Sequence, residues 1–539
     1  MNVNPFLATD GYKTGHQKMY PQGTTLVYSN FTPRHGKHTN VKGGKGVISF
    51  GQQMVMKQIK EMFDEHFFKN SGHRELLEKG VSQEAPLAKS QLKALKDQVC
   101  QEIKKEYSMY LGTDYDVSHI EDLWDLGYLP IEVKSLPEGT FVPYGVPVLT
   151  IKNTLSEFYW LTNFLETLIS TMLWMPMTSA TTAFEYKKIL MEAAKKTNKE
   201  AIDFVDFQGH NFGMRGMAGL DATVYAGLGH ATSFKGDDSL PTISAARNYY
   251  NESDFVVGSV SATEHSVMCA GTKGDEIGTF KYLMNQFPTG ILSIVSDTWD
   301  LWKVLTEYLP QLKEEILTRD GKIVIRPDSG DPVDIICGKS FTKDGEYVGK
   351  GEHELPCDSE PEYKGVIELL WDIFGGTINK QGYKVLDPHI GAIYGDSITL
   401  DRAKEITERL EAKGFASTNM VLGIGSYTYQ YVTRDTHGFA MKATYVEVKE
   451  NLYHSPEPDR IVGREIFKDP ITDDGTKKSA KGLLKVYSNV THQNEFISYG
   501  LQDQVSWKQE GEGALQTIFE DGRFYNETTL TEIREKLND

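Results

Sequence analysis

Four times along this 539-residue chain an apolar run stops abruptly at residues suited to gripping a polar ligand. Ile323-Val324-Ile325 runs into Arg326-Pro327-Asp328-Ser329-Gly330-Asp331-Pro332, and Ile291-Leu292-Ser293-Ile294-Val295 ends in Ser296-Asp297. Residues 390–394 end in Gly395-Asp396-Ser397, and Met420-Val421-Leu422 ends in Gly423-Ile424-Gly425-Ser426. Each reads as a buried strand whose C-terminal end delivers charged or hydroxyl groups into one small space. One such strand is a coincidence, but four are an architecture. The cation, carboxylate and hydroxyl of Arg326, Asp328 and Ser329 together suit a phosphorylated sugar.

Candidate strands fall near 202–207, 230–234, 255–260, 291–295, 323–325, 390–394 and 420–424, mostly with helical segments between them. Leu400, Ala403, Ile406 and Leu410 form an apolar stripe that predicts a helix over 400–413, with Gly414 just past its end. The alternation predicts an α/β fold with a mostly parallel sheet, open or closed. Polar residues at successive strand ends favour a (β/α) barrel, whose sites lie on that rim, over an open sheet with one switch point.

Upstream, helices are expected over 52–69, 87–110 and 155–174. The runs 131–134, 140–142 and 148–151 read as a small antiparallel meander. Beyond Gly438, the runs 443–448 and 483–487 predict β structure returning to complete the first lobe. The expected organisation is an N-terminal α+β lobe (1–153), a (β/α) barrel catalytic domain (154–436) and a β-rich C-terminal segment (437–539). A charged, Gly-rich insertion at about 338–364 interrupts the barrel repeat.

Net charge is −18, from 75 acidic and 57 basic residues, which argues against general binding to nucleic acid or anionic membranes. An anionic ligand must then be held locally, with Arg326, Arg215, Arg34, Arg434, Lys442 and Lys468 as candidates. Cys100, Cys269, Cys337 and Cys357 lie far apart without CxxC spacing, so a reducing cytoplasm is expected. Met1-Asn2-Val3-Asn4-Pro5 lacks signal-peptide features. The longest apolar stretch, 158–175, contains Asn163 and Glu166 and reads as a buried helix, so no membrane partner is expected.

Three further clusters carry chemistry. Glu264-His265 follows a candidate strand, where imidazole serves as a general base, a phosphate ligand or a phosphoryl acceptor; taken alone, it reads as a helix cap. Phe212-Gly213-Met214-Arg215-Gly216 offers an aromatic face and a guanidinium beside glycines. Phe234-Lys235-Gly236-Asp237-Asp238 presents paired carboxylates at a strand end.

These clusters occur in a particular order along the chain. Leu7-Ala8-Thr9-Asp10-Gly11-Tyr12-Lys13, Asn211 to Gly216, Phe234 to Asp238, Thr263-Glu264-His265-Ser266, Val295-Ser296-Asp297, Ile325 to Gly330, Gly395-Asp396, Thr433-Arg434-Asp435 and Phe467-Lys468-Asp469-Pro470 succeed one another over nearly the whole sequence. The ordered set resembles the nicotinamide phosphoribosyltransferase family of type II phosphoribosyltransferases, with nicotinate phosphoribosyltransferase as nearest relative.

The resemblance implies an irregular (β/α) barrel plus an α+β lobe built from the N-terminal region and C-terminal strands. It implies a homodimer with shared active sites that makes nicotinamide mononucleotide and pyrophosphate from nicotinamide and phosphoribosyl pyrophosphate in NAD salvage, with Mg²⁺ and with ATP as co-substrate. By the same resemblance Phe212 and the partner's Tyr12 sandwich the ring. Arg215 meets the amide oxygen or a phosphate, Asp238 accepts the amide N–H, and Ser259 and Ser293 are further substrate-binding residues. Arg326, Asp328 and Asp297 act at the ribose, phosphates and metal, Asp297 and Asp328 being the metal candidates. Gly395, Asp396, Gly425 and Ser426 hold the ribose and 5′-phosphate, and Arg34, Arg434, Lys442 and Lys468 line the phosphate channel. His265 matches the histidine phosphorylated by ATP. The alternatives are nicotinate as the base, or a non-catalytic sugar-phosphate-binding barrel.

Overall fold

In the computed structural model, which describes residues 3–69, 86–339, 360–395, 397–450, 460–468, 471, 480–489 and 498–538, seven short parallel strands close into a barrel. They are Gly209–Asn211, Gly236–Asp237, Ser261–Ala262, Thr289–Val295, Asp320–Arg326, Ile390–Tyr394 and Met420–Ile424. Sequential neighbours are spatial neighbours all the way round. The last strand returns to the first, with Leu422 opposite Gly209 and Ile424 opposite Asn211. The second strand meets the segment just before the third through a parallel bridge between Gly236 and Gly258. There the Gly258 N–H donates to the Lys235 carbonyl (2.8 Å) and the Asp237 N–H to the Gly258 carbonyl (3.1 Å). Parallel pairing requires long crossovers, and helices such as Leu220–Ala231, Glu276–Gln286, Leu309–Leu317 and Leu400–Ala412 supply them.

Strand periodicity sorts the side chains. Leu292, Ile294, Ile323, Ile325, Met420 and Leu422 are at most 1% exposed and face away from the lumen. Burying each such side chain contributes about 2 kcal/mol. The alternate positions, Ser293, Lys322, Val324, Arg326, Gly391 and Val421, line the interior. A filled barrel carries layers of bulky branched side chains there. This one has smaller and polar residues at several lumen positions and keeps a cavity of about 500 Å³.

The four strands anticipated near 291–295, 323–325, 390–394 and 420–424 are present. The other three differ from expectation. Residues 202–207 are helical, in Lys199–Phe204 and Val205–Gln208, and the strand is the next three residues, Gly209–Asn211. His230 closes the helix Leu220–Ala231, and the strand is Gly236–Asp237. Over 255–260 only the bridge at Gly258 joins the barrel, followed by Ser261–Ala262. These strands are two or three residues of Gly, His, Asn, Asp, Ser and Ala, so they lack the β-branched signature on which strand reading depends.

The barrel belongs to one of two compact units, Ser179–Asn248 with Glu252–Val432. The other comprises Met1–Thr178, Tyr249–Asn251 and Thr433–Asp539. Its main sheet is antiparallel, in the order Arg460–Glu465, Ala440–Glu450, Thr24–Thr32, Leu149–Asn153, Ile131–Ser135, Gln516–Glu520, Arg523–Phe524. C-terminal strands therefore flank N-terminal ones, as expected. Val27 packs with Val446 and Val448, while the next residue, Tyr28, packs with Leu483, Leu484 and Val505, so both sheet faces are covered.

The expected meander is not formed. Ile131–Ser135 pairs directly with Leu149–Asn153, whereas Phe141–Pro143 pairs with Gly46–Ile48 in a separate two-stranded sheet. Pro143 has no N–H for an inner strand, which suits this short pairing. The helix expected over 155–174 runs as Tyr159–Thr197, through Pro176. Helices Gln52–Met62, Pro86–Leu111 and Leu400–Ala412 are as anticipated, and Gly414 sits past the last of these at φ +75°. Most of the 338–364 insertion lies outside the described residues. Among the described residues no helix is long and apolar enough to cross a membrane.

Candidate active site

Two adjoining carboxylates at the end of Gly236–Asp237 have opposite fates, set by strand alternation. Asn211 pairs with Asp237 across the strands, and its amide donates to Asp237 Oδ1 (3.1 Å). The Ser239 N–H also reaches Oδ1 (2.5 Å), and the Thr242 hydroxyl reaches Oδ2 (2.9 Å). Asp237 is 4% exposed, and burial pushes its carboxyl up to about 6 against these hydrogen bonds. It is an anchor.

Asp238 turns the other way and lines the lumen cavity. His210 Nε2 lies 2.9 Å from its Oδ1, and the Ser259 hydroxyl donates to the same oxygen. Burial works to raise the Asp238 carboxyl, but the His210 and Ser259 hydrogen bonds and the charges of His210 and Arg326 outweigh it and leave it below its ordinary range. An ionised acceptor therefore faces the cavity. Phe212 lines the same space, its ring tilted 38° against that of His210 at 4.6 Å. Its backbone N–H extends the barrel pairing to Ile424 O (2.9 Å), and the Asn211 side chain accepts from the Gly213 N–H (2.9 Å). Ser259, Ser293 and Arg326 complete this wall.

Beyond the mouth, the ends of two neighbouring strands interlock. The Asp328 N–H and the Ser329 hydroxyl donate to Asp297 Oδ2 (2.9 and 2.5 Å), while Asp297 Oδ1 is buried with no hydrogen-bond partner. His265 Nε2 stands 3.6 Å from Asp328 Oδ2 and 3.9 Å from Asp297 Oδ1, and its Nδ1 is 3.0 Å from the Thr298 hydroxyl. A side chain at position 395 would collide with Asp328 Oδ1, so only glycine permits that carboxylate its place. Arg326 donates to the Thr263 carbonyl (2.5 Å) and keeps a buried, unpartnered Nε. Burial pulls its guanidinium below its usual value, opposed by Asp328, Asp238 and Asp297, and arginine remains charged throughout.

The expected site residues of this unit thus form two joined groups. Phe212, Asp238, Ser259, Ser293 and Arg326 line the lumen, and His265, Asp297, Asp328 and Gly395 cluster at the rim. Arg215 is exposed on the turn Met214–Gly216, where Gly216 abuts the Ser426 side chain at the start of helix Ser426–Tyr429. Gly425 caps that helix, and Asp396 lies outside the described residues.

Tyr12, Arg34, Arg434, Lys442 and Lys468 belong to the other unit. There Arg34 and Lys442 line a cavity of about 630 Å³ with Asn30, Thr32, His35 and Lys37. Arg434 and Lys468 are exposed and are not part of its lining. Tyr12 is 64% exposed, and the adjoining Lys13 is fixed by Glu166 (2.6 Å) and Asn163 (3.1 Å).

Sequence reasoning singled out neither His210 nor Thr298. The signal for His210 was its spacing: on a strand, residues 210 and 212 share a face. Nor did it find the far end of the lumen, where Phe204, Phe207, Phe255, Val385 and Leu386 make an apolar wall.

The profile of the nicotinate phosphoribosyltransferase (NAPRTase) family matches residues 207–521, more than half of the chain. The chain belongs to this family. It is a phosphoribosyltransferase. A protein from Acinetobacter baylyi described as "Nicotinamide phosphoribosyltransferase" is 45% identical over 99% of this chain and 97% of its own length. One of the same description from Mycoplasma pneumoniae is 34% identical over 90% of this chain and 98% of its own. The crystal structure of nicotinate-nucleotide pyrophosphorylase from Pyrococcus furiosus aligns over 99% of this chain and 94% of that chain with a TM-score of 0.50. At 14% identity it speaks for the fold alone.

Proposed function

We propose that the enzyme transfers the phosphoribosyl group of phosphoribosyl pyrophosphate to nicotinamide, releasing pyrophosphate, as a cytoplasmic step of NAD salvage. The observation that carries the choice of base is Asp238: ionised, fixed through Oδ1 and facing the lumen beside Phe212. A carboxylate accepts the N–H of a carboxamide and repels the carboxylate of nicotinate, the principal alternative. The relatives described as nicotinamide phosphoribosyltransferases support the same reading.

Phe212 supplies one face for the pyridine ring, and Asp238, Ser259, Ser293 and Arg215 orient its amide so that the ring nitrogen points toward the ribose. As the C1–pyrophosphate bond breaks and the ring nitrogen takes its place, positive charge builds on the ribose. Asp328 stabilises that charge from its place against Gly395. Arg326 and Asp396 hold the ribose and phosphates, and Gly425 and Ser426 hold the 5′-phosphate. The rest is positioning.

Asp297 and Asp328 fit a magnesium ion. Asp297 Oδ1 is a buried oxygen with no hydrogen-bond partner, and Asp328 lies beside it. Mg²⁺ takes one or two carboxylates and completes its shell with water and substrate phosphates, which matches this pair of aspartates. When bound, it neutralises charge on the departing pyrophosphate.

His265, exposed and beside both carboxylates, is the proposed phosphoryl acceptor from ATP. In a homodimer, Tyr12 of the second copy completes the base site, and Arg34, Arg434, Lys442 and Lys468, drawn partly from the second copy, line the phosphate channel. Assay of nicotinamide mononucleotide formation from the two substrates, with and without ATP, tests the proposal.

A further inference from the structure

Asp238 can choose between an amide and a carboxylate only if its free oxygen points in one direction. Nicotinamide and nicotinate differ only in a neutral NH2 group against an anionic oxygen, and a carboxylate that rotates in a 500 Å³ cavity would meet either base poorly. The structure assigns the restraint. His210 Nε2 at 2.9 Å and the Ser259 hydroxyl both engage Oδ1, which leaves Oδ2 for a ligand. An ionised carboxylate only accepts, so the Nε2 atom of His210 is the protonated nitrogen.

The same imidazole also sets Phe212. The two rings lie 4.6 Å apart, on successive same-face positions of one strand and its extension. His210 is 8% exposed, and its seat depends on the facing strand: a Cβ at position 236 would stand 2.7 Å from His210 Nδ1. One ring therefore braces both the carboxylate that reads the amide and the aromatic face that carries the pyridine.

We infer that His210 is a positioning residue that sets base selectivity by locking Asp238 and Phe212 in one arrangement, an inference that rests on reading Asp238 as the acceptor of the nicotinamide amide. His210 need not touch the reacting atoms. Its loss lowers discrimination and raises the KM for nicotinamide, and affects kcat at saturating base less.

The test compares the ratio of kcat/KM for nicotinamide to that for nicotinate in the wild type, His210→Phe, His210→Gln and Asp238→Asn. Phenylalanine keeps a ring and loses the donor; glutamine carries an N–H donor in place of Nε2. The ratio is expected to fall by about tenfold to a hundredfold in His210→Phe, the range for a hydrogen bond to a charged group, and to recover most of the way in His210→Gln.

A wild-type ratio in His210→Phe, or glutamine and phenylalanine variants that behave alike, overturns the inference. Should His210→Phe fail to fold, as judged by thermal melting, His210→Gln is compared with the shorter His210→Asn. Higher discrimination in the glutamine variant supports the inference, and equal discrimination overturns it. Asp238→Asn separates the two layers. If its ratio is unchanged, the reading of Asp238 falls and takes the inference with it; if it alone loses discrimination, only the role of His210 falls.

Discussion

The backbone N–H of Asp328 donates to Asp297 Oδ2 across 2.9 Å, tying together carboxylates from neighbouring barrel strands. With the Ser329 hydroxyl on the same oxygen, Oδ1 is left buried and unpartnered beside Asp328 and His265. Asp297→Asn keeps an oxygen for Asp328 and Ser329 but removes the charge. Half-maximal activity is then expected to require about 10- to 100-fold more Mg²⁺, a loss of the size seen when a metal site is perturbed. Magnesium titration of pyrophosphate release measures it, and an unchanged titration would place the ion elsewhere.

Asp328 owes its position to the absence of a side chain at 395. Gly395→Ala is therefore expected to displace the carboxylate and to lower kcat/KM for phosphoribosyl pyrophosphate by about a hundredfold, the scale of a 1 Å misplacement. The melting temperature should change little, since position 395 is only half-buried. Steady-state kinetics alongside thermal melting separate the two effects.

Burial raises Asp237 from its ordinary range to about 6. The folded state therefore binds a proton that the unfolded chain releases near pH 4, and stability from this group is full below pH 4 and falls as pH rises through 6. The difference amounts to about 3 kcal/mol. Asp237→Asn removes the titration. The melting temperature of the wild type relative to this variant is expected to drop between pH 4 and pH 6 and to level off above. A difference that rises over this range would contradict the assignment.

His265 presents an exposed imidazole 3.6 Å from Asp328. In His265→Ala, ATP is expected neither to be hydrolysed nor to stimulate transfer, as read by phosphate release and product formation with and without ATP. ATP hydrolysis at the wild-type rate would move the phosphoryl acceptor to another side chain.

Much of the site was legible because the long inner strands announce themselves. Ile323 and Ile325 are buried outward, Lys322, Val324 and Arg326 face the lumen, and the run ends where Pro327 breaks it, so apolar character and rim chemistry are both written in one stretch. The base end was harder to place. Its strands, Gly209–Asn211, Gly236–Asp237 and Ser261–Ala262, are held by pairing with neighbouring strands and by the bridge at Gly258 rather than by their own propensity. Local reading therefore moved them onto the apolar residues just upstream. Asp237 and Asp238 were visible as a pair, but only the alternation fixed by Asn211 decides which is the anchor and which faces the ligand.

The central claim is that this barrel transfers phosphoribose to an amide base selected by Asp238. Initial rates of mononucleotide formation from nicotinamide and from nicotinate, each with phosphoribosyl pyrophosphate and Mg²⁺, test it in the wild type and in Asp238→Asn. The expected result is a kcat/KM for nicotinamide at least about a hundredfold above that for nicotinate, with most of that preference lost in Asp238→Asn. Equal or faster turnover of nicotinate by the wild type would contradict it.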